Sequence, residues 1–507
     1  MEIKYILAVA GILLYILLLT ATYYLITGRE SRAMGISLIL AHTVPVPFFL
    51  MLLFSGIPVI AGWIFLAIIA IFVIVLMVPL KGKRYPEPSP ARHMDERDTM
   101  FSRNEIKPGT YRYDQYYSMR PENLEKDLKF RSKPGLLDNN ATYYNRFSFA
   151  SAHASFEAVT AFFDMRTGPV EGQENGGDPN RETGIGKAGE EPGKKDVIKD
   201  VDKDVIKDVI KDVDKDIFIQ HGDQPMGTPG DIKSEGSNDD PVLLTRFLVE
   251  WGKKLGAAGI GIVEMKPYHY YTIGGRRERY GIEIINNHNF GIVFTTEMDY
   301  ELTSTGPQAG IVMESAHQYL NSGMIATQVA LTLRKLGYDA KTHIDGNYDL
   351  ICPLVARDAG MGEIGRMGLL MTPGKGPRVR ISVVTTNAVL VPGKGEQDNS
   401  MIDFCTHCRK CAVVCPSASI PHGERENFPG GLRWKIDQEG CYTYWCQAGT
   451  DCGRCMAACP YSHPDNAFHR AVRWGISNNL LFRRLAIKMD DLFYGRKPTP
   501  LKMPGWI

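Results

Sequence analysis

Nine of the ten cysteines of this 507-residue chain fall between Cys405 and Cys459. The first run, CTHCRKCAVVCP, extends from Cys405 to Pro416. The second, CYTYWCQAGTDCGRCMAACP, extends from Cys441 to Pro460 and closes on the same CxxCxxxCP. Only Cys352 lies outside, in the apolar run ICPLV, where an inert buried thiol is expected. Disulfide frameworks belong to small secreted domains, whereas thiols gathered into one segment of a large chain point to metal. In CxxCxxCxxxCP three thiolates hold one cubane iron-sulfur cluster, and the fourth, too far round the loop, ligates a neighbouring one. The reciprocal exchange assigns Cys405, Cys408, Cys411 and Cys459 to a first [4Fe-4S] cluster. The second takes Cys415, Cys452, Cys455 and one of Cys441 or Cys446. Zinc also uses CxxC pairs, but a zinc knuckle does not need a twice-repeated CxxxCP. Two neighbouring clusters form an electron wire, so another part of the chain must receive the electrons.

The N-terminal region reads as membrane. Ile6–Ile26, Met34–Phe54 and Ile57–Val78 are almost free of charge, and each has the roughly 20 residues that a helix needs to cross a bilayer. The first link carries Arg29 and Arg32, the exit carries Lys81, Lys83 and Arg84, and the link around Ser55 is uncharged. With three spans the first link and the exit share a side, and the positive-inside rule makes that side cytoplasmic. The expectation is a multi-pass protein of the cytoplasmic membrane whose catalytic part, after Arg84, faces the cytoplasm. No basic n-region with a small-residue cleavage site precedes the first span, so all three are read as retained.

The remainder divides by composition. Residues 1–84 form the anchor, and 85–167, polar and rich in aromatics, begin the soluble catalytic unit. Residues 168–240 are a low-complexity insertion. Its repeat DVIKDVDKDVIKDVIKDVDKD, Asp196 to Asp216, has a four-residue period that stacks Asp on Asp and predicts disorder. In 241–398, LLTRFLVEWGKKLGAA and SGMIATQVALTLRKLGY have helical spacing, the latter ending at Gly337, while GIGIVEM, FGIVFTTEM, RVRISVVTT and AVLVP read as strands. This is a sheet covered by helices, in the α/β or α+β class. Residues 399–470 form a ferredoxin-like region for two clusters, and 471–507 a helical tail. The formal charge of +1 argues against nucleic acid as a partner.

Beyond the cysteine runs, the stretches DERDTMF, GTYRYDQYY, EMDYELTSTGP, LGYDAKTHIDGN, VARDAGMGEIGRMGLLMTPGKGPRVR and MDDLFYG occur in the order found in the corrinoid-dependent reductive dehalogenases, which the chain resembles over nearly all its soluble part. The resemblance implies a nitroreductase-like α/β domain that binds cobalamin without a histidine ligand from the protein, with the clusters beside it. In keeping with that, no DxHxxG motif is present, the nearest fragment being His343 to Gly346. The family spacing of the second cysteine run selects Cys441 as the ligand and leaves Cys446 as an extra thiol. Two departures stand out. Respiratory members of the family carry a twin-arginine signal and use a separate anchor protein, whereas this chain has its own spans and no such pair before them. The insertion is also foreign to the family pattern.

The resemblance implies two-electron reductive cleavage of a carbon-halogen bond, with halide released. A tyrosine, protonated at neutral pH, would give the proton, and a neighbouring cation would steady the phenolate. The matching positions are Tyr319 in SAHQYLNSG, Asn347 in DGNYD and Arg380 in GPRVR, with Arg378 as the neighbouring choice. If Tyr319 fails, Tyr270 and Tyr271 of HYYT come next. Arg378 and Arg380 alternate with apolar residues as strand positions do, so one of them is expected to face solvent. Glu363, Arg366 and Lys375, in GEIGR and TPGKGPR, are the implied cofactor contacts. The implied partners are an organohalide, the lipid bilayer and an electron donor that is a quinol, a ferredoxin or a flavodoxin; a homodimer is allowed. Two other readings stay open: a corrinoid and iron-sulfur reductase akin to epoxyqueuosine reductase, and a membrane electron carrier in which the α/β region only scaffolds the clusters.

Overall fold

The computed structural model describes residues 2–53, 59–80, 82, 84–85, 94–164 and 239–507, with 394, 396, 429 and 430 excepted. The repeat-bearing insertion lies outside the described residues.

Four apolar helices open the chain: α1 (Glu2–Thr27), α2 (Ser31–Thr43), α3 (Val46–Leu53) and α4 (Val59–Met77). Two stretches, Tyr5–Thr27 and Ser31–Leu50, are long and apolar enough to cross a membrane. Their outer faces expose Leu13, Leu17 and Ile39, as lipid contact requires and water would not favour. The expected single span from Met34 to Phe54 is instead interrupted at Val44 and Pro45. A proline has no N–H for the helix ladder, and its ring crowds the preceding turn, so α2 stops and α3 restarts. The first link folds onto the soluble body, where Arg29 pairs with Glu301 at 2.5 Å. The exit docks on the same body, since Leu80 bridges to Asn479, whose side-chain amide donates to the carbonyls of Val75 and Val78. First link and exit thus both contact the body that carries the cysteine region.

The central unit is a four-stranded sheet of β1 (Gly259–Glu264), β2 (Phe290–Glu297), β3 (Ala340–His343) and β4 (Val379–Thr386), in the order β1-β2-β4-β3. Every neighbouring pair is antiparallel, which makes the unit α+β and not α/β. The reason is local. A parallel neighbour needs a crossover helix, but only two one-turn 3-10 helices, Pro267–His269 and Arg277–Arg279, lie between β1 and β2. The strand expected at AVLVP is missing as well. After Thr386 the chain turns, its Oγ1 accepting from the N–H of Ala388, and Pro392 removes a ladder donor. Helices α6 (Pro241–Lys254) and α7 (Gly310–Lys335) cover one face of the sheet, α5 (Arg146–Asp164) packs on α7, and the short helix Cys352–Asp358 covers the other face. The helix α7 ends as expected, with Gly337 left-handed at φ +89°, but starts 12 residues before SGMIATQ and so carries Tyr319 into its interior.

The cysteine region is mostly short helices. Cys405 and Cys408 lie on α8 (Asn399–Cys408), Cys411 on Lys410–Val414, Cys441 and Cys446 on α9 (Gln438–Ala448), and Cys455 on Arg454–Ala457. The tail forms α10 (Ala467–Asn478) and α11 (Leu480–Tyr494), which pack against α8. Segment 94–131 is tied to α9 by Arg103, fully buried between Asp127 and Glu439.

Candidate active site

The nine clustered thiols sort into two sets and one remainder. Burial lifts Cys459 far above the ordinary thiol range, and the nearby sulfurs of Cys405, Cys411 and Cys408 add to the rise. Cys411 responds in the same way to Cys405 and Cys408, and also to Cys455. In the other set, burial pushes Cys441 up to about 12, assisted by Cys452 and Cys415. Cys455, also up to about 12 through burial, is raised further by Cys441 and Cys415. Thus the structure gathers Cys405, Cys408, Cys411 and Cys459 in one place and Cys415, Cys441, Cys452 and Cys455 in an adjacent one. Cys446 faces Tyr442 instead, in an apolar cluster with Met100 and Phe130. Buried sulfurs this close cannot ionise together without a cation among them. The donor sets therefore fit soft, sulfur-ligated iron centres.

Cys441 also lines a cavity of about 410 Å³ with Tyr271, Tyr348 and Arg433. A second cavity of about 410 Å³ shares the aromatic wall of Phe101, Tyr442 and Trp445 and is lined by Tyr319, Ser315, Asp345, Arg276 and Asp451. Because α7 packs on β4, Tyr319 lies beneath Arg380, whose guanidinium carbon is 4.8 Å from the ring centroid. Arg380 donates to Asp451 Oδ2 at 2.9 Å and to Ser315 Oγ at 2.5 Å, while its Nε is buried without a partner among the described residues. Asp451 directly precedes Cys452, so the arginine over Tyr319 is held by the second cysteine run. Burial pushes Tyr319 up to about 12; Arg380 opposes the rise, and Asp345 and Asp451 add to it. The phenol stays protonated at neutral pH.

The other expected residues are distributed unevenly. Asn347 closes the turn that begins at Ile344. Asp345 and Gly346 of that turn line the Tyr319 cavity, and Tyr348 lines the Cys441 cavity. Neither arginine faces solvent, contrary to expectation: Arg378 is 1% and Arg380 8% exposed. They differ in their partners. Arg378 donates to the carbonyls of Met298 and Ser462 and lies 3.3 Å from Glu297, away from Tyr319. Arg366 braces the first cysteine loop through the carbonyls of Cys405, Thr406, Pro421 and Gly423. Lys375 pairs with Glu297 at 2.7 Å, and the buried carboxylate of Glu363 accepts from the N–H of Ile364. None of Glu363, Arg366 and Lys375 lines either cavity. Of the fallback tyrosines, Tyr271 lines the Cys441 cavity, and Tyr270 is buried with its hydroxyl unpartnered among the described residues.

Asp345, Asp451 and Arg276, which line the Tyr319 cavity, are not among the residues expected from the sequence. Asp451 carried a usable signal, as an acidic residue wedged against a cluster cysteine. Asp345 lay in the HIDG fragment noted only for what it lacked, and nothing marks Arg276 within GGRRERY.

A 4Fe-4S dicluster domain model matches residues 404–463. The chain carries that domain. It is 35% identical over 214 residues to the tetrachloroethene reductive dehalogenase of Sulfurospirillum multivorans, an alignment covering 41% of this chain and 42% of that one. The tetrachloroethene reductive dehalogenase of Desulfitobacterium hafniense is 35% identical over 213 residues, covering 40% and 38%. Over this region the chain is similar to these reductive dehalogenases. It spans about two fifths of the length of these curated relatives. Among solved structures, the catabolic reductive dehalogenase NpRdhA superposes with a TM-score of 0.48 and 29% identity, covering 54% of this chain and 39% of that chain.

Proposed function

We propose that the protein is a membrane-anchored reductive dehalogenase. An organohalide R–X takes up two electrons and one proton, giving R–H and halide. The observation that carries this reading is Tyr319, under Arg380, on a cavity that shares the wall of Phe101, Tyr442 and Trp445 with a second cavity lined by Cys441 of the second cysteine set. Cys405, Cys408, Cys411 and Cys459 would hold one [4Fe-4S] cluster and Cys415, Cys441, Cys452 and Cys455 a second, which would supply electrons one at a time. Cobalamin, which the family resemblance puts in a nitroreductase-like core without a protein histidine, would supply strongly reducing cobalt chemistry for the carbon-halogen bond. Tyr271, Tyr348 and Arg433 would hold it on the side that Cys441 lines.

The chain's own residues do the remainder. The aromatic wall of Phe101, Tyr442 and Trp445 keeps water from the substrate side. Tyr319 gives the proton from its hydroxyl oxygen, and Arg380 stabilises the phenolate left behind. Asp451 and Ser315 fix the guanidinium, and Asn347, on the turn between the cavities, positions the substrate. The relatives' names make small chlorinated alkenes the first substrate class to try. Residues 1–84 form a three-span anchor with α4 as the third span, the soluble part faces the cytoplasm, and 241–398 and 399–470 are the cobalamin and cluster units.

The test is anaerobic reconstitution of the full chain with iron, sulfide and cobalamin. Halide release driven by a reduced viologen is then measured over chlorinated alkenes and aryl halides. Halide formed in step with electrons consumed is the expected result. Full cobalt and iron occupancy with no halide from any member of the panel would overturn the reading.

A further inference from the structure

A third cavity, of about 330 Å³, lies where the apolar helices meet the soluble body. One wall is lipid-like, made by Leu18 and Ala21 of α1 and Ser37 and Leu40 of α2. The opposite wall is made by Phe404, Pro460 and Tyr461, chain neighbours of Cys405 and Cys459 in the first thiol set. Between them the surface is almost wholly apolar, with a few polar groups at one end.

Those polar groups are unusual. Tyr461 is 3% exposed and its hydroxyl has no hydrogen-bond partner among the described residues. Arg473 is 8% exposed, and while Nη2 donates to Asp465 at 2.5 Å, Nη1 has no such partner. Both atoms are sealed from water, so an acceptor in the cavity meets them only once these side chains turn toward it, a turn favoured because a buried donor left unmatched costs about 1–3 kcal/mol. Nearby, His463 Nε2 lies 3.1 Å from Asp490 Oδ1, and its Nδ1 lies 2.7 Å from Glu30 Oε1, off the line that a hydrogen bond needs. The Glu30 carboxylate is itself buried and also meets Tyr494 and His469, so carboxylate, imidazole and carboxylate form a closed row beside the cavity.

We propose that this cavity binds a membrane hydroquinone and oxidises it as the electron entry to the first thiol set. The inference rests on the reading of the cysteine sets as clusters and of α1 and α2 as membrane-embedded. A lipid-soluble carrier with two ring oxygens and a long apolar tail matches both ends. The ring oxygens meet Tyr461 and Arg473, and the tail leaves between α1 and α2 toward lipid. The hydroquinone gives up two electrons and two protons and becomes the quinone. The electrons would pass one at a time to a cluster on Cys405, Cys408, Cys411 and Cys459, and the protons to the carboxylates of Asp490 and Glu30, with His463 between them giving one proton up as it takes one on. A soluble ferredoxin or flavodoxin has no use for an apolar chamber facing lipid.

The probe for binding is the fluorescent hydroquinone analogue 2-heptyl-4-hydroxyquinoline N-oxide, titrated into the detergent-purified holoprotein. Saturable quenching is expected. Tyr461→Phe, which removes one hydrogen bond, should weaken binding about five- to tenfold, and Ala21→Phe, which fills the tail passage, should abolish it. In the same samples a reduced naphthoquinone should bleach the cluster absorbance of the parent but not of Ala21→Phe, while dithionite bleaches both. Viologen-driven halide release should be unchanged in Ala21→Phe. Dithionite bleaching without any binding of the analogue, or binding untouched by both substitutions, overturns the proposal and leaves the chamber to a lipid chain. Failure of dithionite to bleach anything would instead sink the cluster reading, and the analogue titration would still test the cavity.

Discussion

The two thiol sets share one motif and have different surroundings. Around Cys405, Cys408, Cys411 and Cys459 the packing is dense: Ile402, Phe404, Ile476 and Ile487 close in, Arg366 ties the loop through four carbonyls, and Lys410 is buried against Asp490. The opening nearest this set faces the membrane helices. Around the second set the contacts are with the reaction side, since Cys441 lines one cavity and Asp451, next to Cys452, holds the arginine over Tyr319. One motif, used twice, gives a set walled by apolar side chains beside the N-terminal helices and a set beside the Tyr319 and Cys441 cavities. On the proposed reading the pair has a direction, inward from the apolar helices.

The sharpest break in this comparison is at Cys441. Cys441→Ser should lower iron by roughly four per chain and abolish halide release, because the lost cluster is the one beside the cavity. Cys446→Ser, which alters only a contact with Tyr442, should retain full iron. Iron and sulfide assays with turnover decide between them, and the reverse pattern would exchange the roles of the two cysteines.

The next effect is at the proton donor. Tyr319→Phe keeps the ring under Arg380 and removes only the hydroxyl, so turnover should fall about 10² to 10⁴-fold at unchanged cobalt and iron contents. Arg380→Ala should cause a comparable fall, and the double variant little more, because residues that act as a unit are not additive. With Tyr319 pushed up to about 12, the parent's rate should stay level through the range in which an ordinary phenol ionises, about 10. An alkaline limb centred there that disappears in Tyr319→Phe would show an unshifted phenol.

The smallest effect separates the two arginines. Arg378→Ala leaves the carbonyls of Met298 and Ser462 without their donor, which costs about 1–3 kcal/mol of stability. Turnover per folded, cofactor-loaded molecule should stay near the parent's, as read by thermal denaturation and halide release on the same sample. A turnover loss equal to that of Arg380→Ala would erase the distinction.

How much of this was legible beforehand varied with the kind of signal. The cysteine runs were legible because ligand spacing is a local property, and the exchange between the runs follows from the reach of a short loop. Helix α7 was legible at its end, where Gly337 supplies a left-handed cap, and not at its start, where SAHQYL has no periodic apolar face. The antiparallel order of the sheet was hidden, because helix and strand signals alternate along the chain in either case and only the absence of a crossover helix between β1 and β2 distinguishes them. Arg378 and Arg380 looked equivalent in sequence. What separates them is non-local, Ser315 and Asp451 for one and Ser462 for the other. The break at Pro45 was written in the sequence but was overridden by the hydropathy of the whole stretch.

The cap on α4 has a consequence for biosynthesis. Asn479 donates to carbonyls at Val75 and Val78, some 400 positions earlier in the chain. During translation the last turn of α4 therefore leaves the ribosome long before its cap exists, and it is finished only when the tail arrives. A nascent chain stalled or clipped before α11 would present an unfinished helix end at the membrane surface, the kind of exposed polar backbone that quality-control proteases recognise. Asn479 thus ties completion of the cluster-bearing half to survival of the anchor, and only molecules that have made both would persist in the bilayer.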